Sequence, residues 1–303
     1  AAGHSTMHSE VCSTMYGKRS RTHATDRWRQ HYALITGASQ GLGRALAHEC
    51  ARQGMNLLLV ALPASGLEHV AQDIEQRHGV RVCCLETDLT QEGSPEALYR
   101  WYLAKRVKLS VLINNAGIAC YGPFEDSTLS ENETCVLLNN LATVKITRLL
   151  LPELRSSPSA CIMNVASLAG LFPMPFMLVY AASKAFVYNF SLGLRAELRR
   201  TPVQVSVLCP NGIRTNRLCR ERIEANGLGA RLTCMDPEDV ARYAIRKMVA
   251  GKAVIVPGAL NRFIGMSSKF VPRATVYHMA SSMWRRTRKE KRLKPGSLAS
   301  GAQ

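Results

Sequence analysis

The sequence predicts an α/β fold, a doubly wound parallel sheet of Rossmann type in a single domain with an extension at each end. Three observations predict it. Short continuous apolar stretches recur at 32–36, 56–61, 80–85, 109–113, 160–165, 203–209 and 253–256, helix-patterned stretches separate them, and the first turn after a strand is rich in glycine. Unbroken apolar strands alternating with helices belong to a parallel sheet covered on both faces. A chain of 303 residues, 47% of them hydrophobic, suits one large domain. The expected divisions are a polar basic extension 1–30, the ordered domain 31–258, an apolar segment 259–284 and a basic tail 285–303.

Taken in order, the strand Tyr32–Thr36 runs into Gly37-Ala38-Ser39-Gln40-Gly41-Leu42-Gly43, which opens a helix over 44–53. Glycines at that spacing let the backbone turn sharply and approach a pyrophosphate, whose charge is welcomed by the amides of the helix start. No Gly-Lys-Ser/Thr follows, which excludes a Walker-type phosphate loop. The second strand ends in Ala61-Leu62-Pro63 and offers neither a carboxylate for a ribose hydroxyl nor an arginine for a phosphate. Because an unpaired dianion costs more than a poorly bonded hydroxyl, NAD is favoured over NADP, unless Arg27, Arg29 or Arg44 reverses the choice.

After the third strand, Thr87-Asp88-Leu89 places Asp88 either to accept from an adenine edge or to cap a helix over 94–105. After the fourth, Asn114-Asn115-Ala116-Gly117 is a small-residue turn against which a cofactor can lie. Leu137-Leu138-Asn139-Asn140 enters a helical stretch, where an asparagine is either locally bonded or holds a water in an opened turn. The fifth strand delivers Ser167 to the carboxyl edge of the sheet, where open α/β folds bind ligands. Tyr180 and Lys184 stand four residues apart on a helix from 180 onward, so phenol and ammonium share a face. An ammonium held there is expected to lower the phenol pKa and make Tyr180 a proton donor and acceptor near neutrality.

Composition bounds the alternatives. The net charge of +17 invites nucleic acid or an anionic surface as partner, but more than half of the excess sits on 1–31 and 285–303, as in solvated tails. No uninterrupted apolar run approaches the roughly 20 residues that span a bilayer, and no signal-peptide pattern opens the sequence. The ten cysteines show no redox or zinc spacing, and the histidines are dispersed, so reduced thiols and no metal are expected in a cytoplasmic setting.

Thr36–Gly43, Asp88, Asn114–Gly117, the asparagine before the long helix, Ser167 and Tyr180-x-x-x-Lys184, in that order, resemble the short-chain dehydrogenase/reductase family, in its single-domain branch. The resemblance covers about 31–258. It implies that Tyr180 exchanges the proton with the substrate oxygen, Lys184 bonds the nicotinamide ribose and Ser167 holds the carbonyl or alcohol. It also implies a role for Asn139, with Asn140 as fallback. Cofactor contacts would come from Gly37, Ser39, Gln40, Gly41, Leu42, Gly43, Asp88, Leu89, Asn115, Ala116, Gly117, Pro210, Ile213 and Thr215. The family's Pro-Gly is here Pro210-Asn211-Gly212, which leaves the local backbone open.

The apolar segment after Ser167, with Leu168 and Phe172, and Tyr121 across from it, would wall the substrate site in this family. An apolar wall without a cation disfavours charged substrates. A bulky hydrophobic ketone or alcohol fits, as in hydroxysteroid dehydrogenases, with long-chain 3-oxoacyl reductases as the alternative. The resemblance further implies a homodimer or homotetramer. The segment 259–284, backed by positive charge, reads as a lid, a packing element or a membrane-surface contact. A nucleotide-binding sensor without turnover is the reading from another class, and the intact Ser167, Tyr180 and Lys184 speak against it.

Overall fold

The computed structural model describes residues 31–214 and 232–267. The extension 1–30 with Arg27 and Arg29, the stretch 215–231 with Thr215, and the chain from 268 through the basic tail lie outside the described residues. Seven parallel strands form one sheet in the order β3-β2-β1-β4-β5-β6-β7. They are β1 Tyr32–Thr36, β2 Asn56–Ala61, β3 Val82–Glu86, β4 Leu109–Asn114, β5 Ala160–Val165, β6 Val203–Leu208 and β7 Val254–Ile255. The helices are α1 Gly41–Arg52, α2 Leu67–His78, α3 Ser94–Lys105, α4 Leu129–Val136, α5 Thr143–Ser156, α6 Leu178–Glu197, α7 Pro237–Val249 and α8 Ala259–Ser267. Strands β1 and β4 are neighbours without being consecutive, so the chain leaves them in opposite directions and a crevice opens at their carboxyl ends.

Pleating sorts the apolar strand residues onto two faces. Ile35, Leu57, Leu59, Val111 and Ile113 pack with Leu46 of α1, Ile74 of α2 and Ile245 of α7. Leu34, Leu58, Val60 and Leu112 pack with Leu98 of α3 and Ile146, Leu150 and Leu154 of α5. Burial on both faces is why the strands read as unbroken apolar runs.

Three strands are shorter than their patterns, β6 by the single residue Cys209. β3 starts at Val82 because Asn56 Oδ1 takes the Arg81 amide at 2.9 Å and Glu75 Oε1 takes the Val82 amide at 2.9 Å, so the ladder opens at Leu57 with Val82. β7 keeps two residues, since the Lys252 amide turns back to the Lys247 carbonyl at 3.1 Å. The helical stretch before β5 is longer than its pattern: α4 passes through a π-helical turn, Leu137–Ala142, directly into α5. The combined Leu129–Ser156 is, by length and composition alone, apolar enough to cross a membrane, unlike the uninterrupted runs sought in the sequence. Its Ile146, Leu150 and Leu154 are spent on the sheet, as in a core helix.

A buried polar chain crosses the middle of the fold. Asn114 Nδ2 donates to Thr147 Oγ1 at 2.9 Å and to Asn164 Oδ1 at 2.8 Å, and Asn164 Nδ2 donates to Ser191 Oγ at 2.9 Å. It locks β4 and β5, the strands that deliver the two key loops, to α5 and α6. Asn164→Ala would take an acceptor from Asn114 Nδ2 and a donor from Ser191 Oγ, both buried, and urea unfolding should record a loss of about 1–3 kcal/mol.

Candidate functional site

Glycines make room at the crevice. Gly37 has φ 65°, and a Cβ there would stand 2.9 Å from Ala116 Cα. A Cβ on Gly43 would fall on the Gly37 carbonyl oxygen, and one on Gly117 would stand 2.8 Å from Asn139 Oδ1 and 3.1 Å from Lys184 Nζ. The turns after β1 and β4 are tied together by Thr36, whose Oγ1 accepts from the Asn115 and Ala116 amides at 3.0 Å each. Asn115 completes the latch, donating from Nδ2 to the Thr36 carbonyl at 3.0 Å and the Gly37 carbonyl at 3.1 Å. Its side chain therefore braces the loop, and the open surface of the turn is left to the backbone of Ala116 and Gly117.

At the start of α1, Gln40 makes no side-chain cap and the first turn carries no acid, so its amides remain available to an anion. Ser39 is half-buried, Gln40 exposed, and Leu42 is packed into the core. These residues fit the pyrophosphate of a dinucleotide: a glycine cradle that any Cβ would fill, meeting an uncapped helix start. Asp88 is turned onto its own loop, accepting from Thr90 N at 2.9 Å, Thr90 Oγ1 at 2.8 Å and Gln91 Nε2 at 3.2 Å. It does not cap α3, whose N-cap is Gly93 in a left-handed conformation. Leu89 beside it is buried.

Ser167, Tyr180 and Lys184 come together at the carboxyl end of β5. Ser167 caps a 3₁₀ turn, Leu168–Leu171, by accepting from Ala169 N at 3.1 Å and donating to the Pro210 carbonyl at 3.5 Å, and its hydroxyl lies near enough to the Tyr180 phenol to act on its pKa. Gly170 lets this turn press onto α6, since a Cβ there would stand 2.6 Å from the Lys184 carbonyl carbon. Lys184 Nζ, fully desolvated, donates to the Val165 carbonyl at 2.9 Å and lies 5.9 Å from the Tyr180 ring centroid. Asn139, in the π-helical turn, donates to the Ile118 carbonyl at 3.0 Å and Ser183 Oγ at 2.9 Å, and accepts from Ile118 N at 2.9 Å. Ser183 in turn donates to the Tyr180 carbonyl at 2.7 Å. Asn140 also reaches α6, through the Ser183 carbonyl at 2.8 Å.

Electrostatics correct one expectation. Burial pushes the Tyr180 phenol up to about 12, the Ser167 hydroxyl pulling only partly the other way. Burial also pushes Lys184 down to about 8. The ammonium does not lower the phenol here because it is directed at a backbone carbonyl and is itself desolvated.

On the far side of Ser167, the Pro210 carbonyl accepts from Leu168 N at 2.9 Å, and Ile213 bridges to Met235. Leu168 is only 4% exposed and lies against α8, and neither it nor Phe172 lines the cleft that opens beside Tyr121 and Val179. That cleft, about 590 Å³, is lined on its apolar side by Ile118, Tyr121, Phe124, Phe176, Leu178 and Val179. Asp126 and Glu131 stand on its polar side, and none of the described residues that line it is a cation. Phe176 is held at φ 65°, a conformation costing about 1–2 kcal/mol for a side-chain-bearing residue, with its carbonyl tied to Gly122 N at 2.9 Å.

Sequence reading gave no bracing role to Thr36 or Ser183, whereas Phe176 fell within the apolar segment expected to wall the substrate site. The only signal for the first two is a small hydroxyl inside an apolar segment, which is common in any core.

One pH effect follows from Lys184. Between about 8 and its ordinary value of 10.5, the unfolded chain binds this proton more than the folded one does, so native stability rises with pH. Urea midpoints at both ends of that window should move in favour of the wild type over Lys184→Met at the higher pH.

Comparison with known proteins agrees with this geometry. The short chain dehydrogenase family description matches residues 31–225. The mouse 17-beta-hydroxysteroid dehydrogenase type 3 is 33% identical over 186 residues, 61% of this chain and 60% of that protein. The very-long-chain 3-oxoacyl-CoA reductase of Anas platyrhynchos is 33% identical over 193 residues, with the same shares covered. The chain thus spans about 60% of the length of these curated relatives. Among solved structures, a short-chain dehydrogenase from Sphingobium yanoikuyae in complex with NADPH superimposes with a TM-score of 0.68 at 28% identity, covering 90% of this chain and 98% of that one. With its glycine cradle, its seven-stranded sheet and a family match over most of its length, the chain belongs to the short-chain dehydrogenase family.

Proposed function

We propose that the protein is a nicotinamide-dependent oxidoreductase that interconverts a bulky hydrophobic ketone and its alcohol, by preference a hydroxysteroid. The observation that carries this is the meeting of the Ser167 hydroxyl, the Tyr180 phenol and the buried Lys184 at the end of β5, next to the glycine cradle. When bound, the dinucleotide supplies or takes the hydride. Tyr180 donates its proton to the oxygen of the ketone as charge develops there, and Ser167 donates a hydrogen bond to the same oxygen. Lys184 bonds the nicotinamide ribose through the hydrogens not given to Val165. Asn139 is a positioning residue, holding the turn at Ile118 against α6 through Ser183.

The raised phenol pKa makes reduction the ready direction, because Tyr180 is protonated throughout the neutral range. Ketone reduction should stay flat from about pH 6 to 8 while alcohol oxidation, which needs the phenolate, climbs with pH. Tyr180→Phe should lower turnover about 10²–10⁴-fold, followed by absorbance of the reduced nicotinamide, with dinucleotide affinity unchanged. A sensor without turnover would show no rate to lose.

The absence of a cation among the described residues of the cleft, together with Asp126 and Glu131, supports an uncharged ring system over a polyphosphate-bearing thioester. The 3-oxoacyl reading stays as the second one, supported by the similarity to the duck reductase. For self-association we assign the outer faces of α5 and α6, where Leu141 of the π-helical turn and Phe186 are exposed.

We infer a preference for NAD over NADP. Leu62 stands 56% exposed after β2, where an arginine would hold a phosphate, and Glu86, in register beside Ala61, accepts from Ala64 N at 3.3 Å. A carboxylate at this rim repels an added phosphate. Glu86→Gln combined with Leu62→Arg should shift the ratio of kcat/KM values at least tenfold toward NADPH, and an unchanged ratio contradicts the assignment.

A further inference from the structure

We infer that α8 is an interfacial helix that seats the protein on an anionic lipid bilayer. At about 100° per residue its positions divide into two arcs. On the inner arc Asn261 is buried, donating to the Thr233 carbonyl at 2.9 Å and the Pro257 carbonyl at 3.0 Å and accepting from Asn211 Nδ2 at 3.1 Å. Gly265 lies on the same arc, where a Cβ would meet Leu168 at 3.4 Å. On the outer arc Leu260, Phe263 and Met266 are 45%, 70% and 69% exposed.

Cations border that stripe. Arg262 stands at its edge and donates to the Tyr243 hydroxyl at 2.9 Å, while Arg246 and Lys247 of α7 flank the same ring at 5.5 and 5.4 Å. Among the described residues none of the three cations has a carboxylate partner, whereas Arg242 is paired with Asp239 and Arg214 with Asp236. The sequence from Val240 to Lys289 holds eleven lysines and arginines and no aspartate or glutamate. An apolar stripe rimmed by unpaired cations, inside a stretch without acids, is complementary to an anionic headgroup layer. A second copy of the chain is the poorer occupant, since two-fold pairing of this face would set Arg262 and its neighbours against their own kind. Seated this way, α8 brings the turn that carries Ser167 close to the phase in which a hydrophobic ketone dissolves. The docking itself does not depend on turnover.

Flotation of the full chain with phosphatidylcholine vesicles, with and without phosphatidylserine, tests the inference. Binding is expected only with phosphatidylserine, weakening at high salt, and falling about tenfold in Phe263→Asp with Met266→Asp and in Arg246→Glu with Lys247→Glu. Dinucleotide affinity should be unchanged in both, so that a folding defect and a failed oxidoreductase reading are each distinguishable from failed docking. Wild-type flotation of both double variants would overturn the inference and assign the binding to the basic tail. Absence of flotation with phosphatidylserine, or variants that alter only the mass of the protein in vesicle-free sedimentation, would overturn it as well.

Discussion

The interaction on which the rest depends is the burial of the Lys184 ammonium with no carboxylate beside it among the described residues. Its visible partner is the Val165 carbonyl, at 2.9 Å, at the end of β5. A desolvated, unpaired ammonium is costly, and a fold tolerates one where the surroundings over-determine its position. Here α6 is fixed on three sides: by Asn139 and Asn140 through Ser183, by the close approach of Gly170, and by Asn164 through Ser191. The same constraints carry Tyr180 to Ser167 without any direct pull from the lysine.

This burial also sets the protonation states. Two groups whose ordinary pKa values nearly coincide are pushed apart, the phenol upward and the ammonium downward, so the site holds a neutral acid next to a reluctant cation. A cationic nicotinamide arriving against the phenol would favour its ionised form, as any nearby positive charge does. The strain at Phe176 fits the same picture, since a side chain held in the left-handed region persists only when packing on both sides demands it.

Much of the fold was legible in the sequence because both faces of each strand are buried, which writes an unbroken apolar run at Leu57–Ala61 or Ala160–Met163. Ser167, Tyr180 and Lys184 were legible from order and spacing. The opened helical turn at Asn139 was readable only as one of two alternatives, because a π-helical turn leaves no composition of its own. The phenol pKa was misjudged because spacing gives the distance between two side chains along a helix and says nothing of desolvation, which dominates here. The surroundings of Leu168 were not legible for a similar reason: an apolar residue after Ser167 reads the same whether it faces a ligand or packs on a neighbouring helix, as it does on α8. The bracing roles of Thr36 and Asn115 depend on β1 and β4 being neighbours, a long-range fact that no local pattern carries.

The most direct test of this account is the titration of the Tyr180 phenol itself, by carbon-13 NMR of tyrosine labelled at the ring carbon bearing oxygen, with Tyr180→Phe supplying the assignment. The account predicts one tyrosine titrating near 12 in the free protein and falling when oxidised dinucleotide binds. An ordinary tyrosine titration that ignores the dinucleotide would contradict it.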